Sequence, residues 1–171
     1  MGRFNELRSK YESAVSYNRE CADRIGLLVQ RIKEDWGYAD TDPESYDTGN
    51  MYIRLGKLNG ISASEYEIYN VSNIAFDYEG DARAVIEVKV ADEHYHAPIT
   101  VGLSVSRLKD GRWCYRFSER VKYLVEGDSL DALRPVLDYI FNDVDHQLER
   151  RYWYPPPPAV PEGNPGAPPA G

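Results

Sequence analysis

The chain is short of the residues that most often announce a chemistry. Its 171 residues include two cysteines and three histidines. Cys21 and Cys114 lie far apart and neither stands in a metal-type spacing, which excludes a disulfide scaffold and a zinc finger or ribbon. They read as free thiols of a reducing compartment. Long apolar runs are missing, and with them the pattern of a transmembrane helix. The opening Met-Gly-Arg-Phe leads into a helical pattern without an apolar signal core, and Glu6 stands where a myristoylation signal needs Ser or Thr. A cytoplasmic protein with no membrane attachment is the expectation.

Positive charge is the next shortage. Twenty Lys and Arg face 28 Asp and Glu, for a net charge of −8. A duplex nucleic-acid binder needs a net basic footprint, so that class is excluded. The same acidity permits a surface that imitates a polyanion and sits in another protein's nucleic-acid groove. Phosphate-cradling glycine loops are absent, since Gly49, Gly56 and Gly60 have neither the spacing nor the lysine. No Gly-x-Ser-x-Gly elbow, internal repeat or nameable family resemblance is present.

What the sequence does have is a stripe. Phe4, Leu7, Tyr11, Ala14, Asn18, Cys21, Ile25, Leu28 and Ile32 recur in steps of three and four, with no proline among them. This predicts one amphipathic helix over residues 3–36. The adjoining row Arg8, Val15, Ala22 and Val29 widens the stripe, while Arg3, Lys10, Tyr17, Arg24 and Arg31 make the other flank basic. A parallel helix pair would lack the acid–base matching that sets register in a zipper. The wide stripe is therefore expected against the protein's own sheet. Gly26 is expected to admit another element closely, and Gly37 to stop the helix.

An acidic loop follows over 37–50. Asp40, Asp42 and Glu44 alternate as in a calcium loop, but Ser45 replaces the turn glycine and Met51 the bidentate glutamate. Strand patterns begin with Met51, Ile53 and Leu55, and Asn59-Gly60 is a tight-turn pair. Ala84, Ile86, Val88 and Val90 form one inward row, and Ile99, Val101, Leu103 and Val105 the next. After a turn at residues 109–112, Trp113, Tyr115 and Phe117 return along the same face. Asp128 or Ser129 caps a second helix over 128–152, whose regular part is expected nearer Leu133 because of Pro135. Pro155 opens a Pro/Gly/Ala-rich tail, residues 155–171, expected to be disordered. The fold class is α+β: residues 1–154 as a single domain with a long N-terminal helix, an antiparallel meander of about four to six strands over 51–126, and a C-terminal helix on the same face.

The chemical candidates are few. His94 and His96 flank Tyr95 at alternate positions and, with His146 or a carboxylate such as Asp92 or Glu93, would give a three-ligand metal site. Cys114 falls on the outward phase of its strand, and a lone strand cysteine is normally inert. Thr100, Gly102, Ser104 and Ser106 face outward beside Cys114, Arg116 and Ser118, a small polar face with one arginine. Residues 150–155 read as a cationic, aromatic, then stiff linear motif.

These observations favour a non-enzymatic acidic binding protein that acts through protein contacts and self-association, with no cofactor. Its sharper form is an inhibitor that occludes a basic groove by charge. Asp40, Asp42, Glu44 and Asp47 of the loop, with Asp138, Asp143 and Asp145 of the second helix, would be its anions. The alternative is a small-ligand or nucleotide binder using Arg116, Tyr95 and Ser104 on the open sheet face. A metal-dependent enzyme through His94 and His96 is the third reading.

Overall fold

The computed structural model describes residues 2–38, 52–56, 74–77, 79–89 and 98–152. Most of the acidic loop, the Asn59-Gly60 turn, the segment holding His94, Tyr95 and His96, and the proline-rich tail lie outside the described residues.

The first helix, α1, is continuous over Arg3–Asp35. Its end is chemical: Gly37 takes a φ of +64°, a left-handed conformation that costs glycine little. There the Tyr38 amide donates to the Lys33 carbonyl at 2.8 Å and the Gly37 amide to Glu34 at 3.2 Å. This pair of bonds satisfies carbonyls that a helix end otherwise leaves open. Gly26 admits no close neighbour, since nothing lies within 4 Å of the position its Cβ would take.

Among the described residues six strands follow: β1 Tyr52–Leu55, β2 Ala75–Phe76, β3 Ala82–Lys89, β4 Ile99–Arg107, β5 Trp113–Arg116 and β6 Lys122–Val125. They form one antiparallel sheet in the order β1-β3-β4-β5-β6, with β2 also paired to β3. β1 meets Ile86 to Lys89 and β2 meets Ala82 and Arg83, so the two share one edge of β3. The meander proper runs from β3 to β6. Ala84, Ile86 and Val88 turn inward together with Ile99, Val101, Leu103 and Val105, as period-two alternation requires. β5 stops at Arg116, one residue short of the expected row. Phe117 instead packs on Tyr139, ring centroids 4.2 Å apart.

The second helix, α2, runs over Leu130–Tyr152. Gly127, at φ +87°, turns the chain into it. The Ser129 hydroxyl accepts the Ala132 amide at 3.1 Å, a side-chain cap. The helix starts at Leu130 rather than near Leu133, and Pro135 lies inside it. Position six of a helix is late enough for proline to cost an intrahelical bond. Leu133, Val136, Leu137 and Ile140 are all fully buried around it and hold the turn in place.

Both helices cover the inward face of the sheet and share one core with it. Each fully buried Leu or Ile there contributes roughly 1.5–3 kcal/mol of transfer free energy.

Candidate functional site

The stripe of α1 divides into two halves with opposite fates. Cys21, Ile25, Leu28 and Ile32 are completely buried. Phe4, Leu7, Tyr11 and Val15 are 77%, 63%, 71% and 40% exposed. Residues 3–16 of the helix are exposed all round. Length explains the split. At about 1.5 Å per residue the helix is about 50 Å long, whereas strands of eight or nine residues reach about 30 Å. About 20 Å of helix therefore overhangs the sheet. Tyr17 marks the boundary: its hydroxyl accepts the Arg107 amide at 3.2 Å, at the end of β4. Arg107 also pairs with Glu20 at 2.6 Å. On the overhang, two ion pairs flank the stripe, Lys10 to Glu6 and Arg8 to Glu12, each at 2.9 Å. The overhanging stripe is thus edged by locally neutralised charge.

The second region is the outward face of the sheet. Ser104 is the cross-strand partner of Arg83 on one side and Arg116 on the other. Two guanidiniums therefore straddle one hydroxyl in a single row across β3, β4 and β5. An open cleft of about 440 Å³ lies over this row, walled by Phe117 and Ser118 on one side and Asp77 on the other. Asp77 is anchored by the tight turn before β3, where its Oδ1 accepts the Glu79 and Asp81 amides at 3.0 Å. Its Oδ2 lies 3.4 Å from Arg83, and Asp81 lies 3.4 Å from Arg116. Arg116 and Ser104, both expected from the outward phase, are thus adjacent; Tyr95 lies outside the described residues.

Of the expected anions, Asp40, Asp42, Glu44 and Asp47 lie outside the described residues. Asp138 and Asp145 are exposed on one side of α2, seven residues apart. Asp143 points elsewhere, about 140° around the helix from Asp138. Gln147 donates to it at 3.0 Å and to the Thr100 carbonyl at 3.0 Å, which ties that side of α2 to β4.

Arg24, on the basic flank of the stripe, is 7% exposed. Its Nε donates to the Tyr115 hydroxyl at 2.6 Å, its Nη2 donates to the Gly127 carbonyl, and its guanidinium lies 5.4 Å from the Trp113 ring. No signal in the heptad pattern separates this arginine from Arg31 one heptad later. Burial pushes the Tyr115 phenol up to about 12, partly offset by Arg24. Cys21 is also buried, which raises its thiol above the ordinary value, with Tyr17 working the other way. Cys114 pairs across the sheet with Ser106 and Leu124 and is buried although it is on the outward phase.

Among the described residues no group of His, Cys, Asp or Glu is arranged to hold a metal ion. No described helix is long and apolar enough to cross a membrane. No family model matches the chain, and neither a curated protein nor a solved structure is similar to it.

Proposed function

We propose that this protein is a non-enzymatic binding module that works through protein contacts, and that the overhang of α1 is its contact surface with a second copy of the chain. The observation that carries the reading is the exposure of Phe4, Leu7, Tyr11 and Val15 on a helix whose later turns are core. With aromatic side chains of about 150–250 Å² each, these residues offer on the order of 400–500 Å² of apolar surface. The largest apolar patch on a soluble domain has about this size and is often functional.

A second copy fits the surface in three ways. Two overhangs meeting there would bury about 1,000 Å² in total, the lower bound for a specific interface. An antiparallel pair sets Phe4 opposite Ala14 and Leu7 opposite Tyr11, with each contact repeated once on either side of the axis, as a two-fold interface requires. Each flanking cation also brings its own carboxylate, so like charges on the two copies are neutralised locally. Free, buried thiols suit an intracellular setting.

The test is sedimentation equilibrium of the intact chain beside Leu7→Glu/Tyr11→Glu. A dimer in the micromolar range that becomes monomeric in the variant supports the reading. A wild-type chain that stays monomeric at about 100 µM overturns it.

The inhibitor form of the reading draws on Asp138 and Asp145, exposed along one side of α2 together with Asp131 and Glu149. It requires binding to a basic partner that weakens steeply between low and high salt. Salt-independent affinity would remove it.

A further inference from the structure

We propose that the outward face of the sheet carries an oxyanion site, formed by Arg83, Ser104 and Arg116, that binds the phosphate group of a small molecule. This does not depend on self-association through α1. Adjacent strands lie about 4.8 Å apart, so the two arginine backbones are about 10 Å apart with Ser104 midway. Both side chains are long enough to bring their guanidiniums over the serine hydroxyl. Gly102, two residues before Ser104 on the same face, has nothing within 4 Å of where a Cβ would be, which leaves depth beside the row.

The arginines are steered without being used up. Each comes no closer than 3.4 Å to its aspartate, a loose contact for a five-donor fork. The aspartates are themselves held, Asp77 by two backbone amides and Asp81 by burial at 7% exposure. The Ser118 hydroxyl accepts the Val121 amide at 3.1 Å, which leaves its proton as a further donor at the cleft wall. Two forks and a hydroxyl supply more donors than the two oxygens of a carboxylate take up, and they match the three outer oxygens of a phosphate ester.

Size and charge select a small molecule over a nucleic acid. The cleft of about 440 Å³ falls in the small-ligand range. A chain of net charge −8 with Asp77 and Glu119 at the cleft rim repels an extended phosphate backbone.

Titration of the ¹⁵N-labelled chain with inorganic phosphate, at ionic strength held constant with sodium chloride, tests the site. Saturable shifts confined to Gly102, Ser104, Arg116 and the two arginine Nε–H groups are expected. Arg83→Gln and Arg116→Gln should each weaken binding at least about five-fold, and the pair should abolish saturation. Ser104→Glu places a carboxylate between the arginines and keeps the sheet intact; it should weaken binding at least about ten-fold. No saturable shift with phosphate, or saturation unchanged in Ser104→Glu or in the Arg83→Gln/Arg116→Gln pair, overturns the proposal.

Discussion

Arg24 of α1 donates from Nε to the hydroxyl of Tyr115 on β5 at 2.6 Å, deep between helix and sheet. The same guanidinium donates to the Gly127 carbonyl and lies near the faces of Trp113 and Tyr115. One cation thus ties the first helix, the fifth strand and the turn into the second helix.

Removing both partners of this clamp should cost less than the two single losses added together. Arg24→Leu leaves the Tyr115 hydroxyl and the Gly127 carbonyl without their donor and should destabilise by about 2–4 kcal/mol in urea unfolding. Tyr115→Phe strands the guanidinium in the same way. The double variant should be more stable than the sum of the singles predicts by about 1–3 kcal/mol. Strict additivity would show that the pair is not coupled.

Tyr115 also sets an alkaline limit. Its phenol is raised to about 12 in the folded chain, chiefly by burial, against an ordinary value of 10.0. A raised acid stays protonated in the fold while the unfolded chain ionises, so the stabilisation is complete below pH 10 and lost as pH rises toward 12. The loss amounts to about 2–3 kcal/mol across that window. Urea midpoints at pH 9 and 11.5 should fall more steeply for the wild type than for Tyr115→Phe, and parallel falls would contradict it.

The two halves of the α1 stripe should respond differently to the same substitution. Leu28→Ala empties a fully buried site and should cost about 2–5 kcal/mol. Leu7→Ala, at a site 63% exposed, should change monomer stability by less than about 0.5 kcal/mol. Thermal unfolding at low concentration, where association does not contribute, makes the comparison. Equal losses would mean that the overhang packs on its own domain.

The thiols should be silent in the native state. Cys21 and Cys114 are both buried, and burial raises the Cys21 thiol further from its reactive thiolate. A disulfide-exchange reagent at pH 8 should label neither on the timescale of minutes and both in denaturant. Rapid native labelling of Cys21 would show that the helix lifts from the sheet.

Much of the fold was legible because periodicity is a local property. The steps from Phe4 to Ile32 define one helix, and the alternation of Ala84 to Val88 and Ile99 to Val105 defines two inward rows, without knowledge of what they face. The candidate row was half legible: outward phase nominated Ser104 and Arg116 as neighbours on one face. Arg83 falls on the outward phase of β3 as well, but nothing local says that it shares a rung with them.

The sequence by itself determined which segments are helical or extended, where Gly37 and Gly127 break them, and which side of each is apolar. Only the tertiary structure decided which apolar side is used. A helix of 33 residues outruns strands of eight and nine, so identical heptad positions are core at Leu28 and solvent-facing at Leu7. Register between strands set Arg83, Ser104 and Arg116 in line, and the reach of β5 toward α1 turned Arg24 from a surface cation into a buried clamp. Burial and register depend on the extent and alignment of elements distant in the chain, which local pattern does not encode.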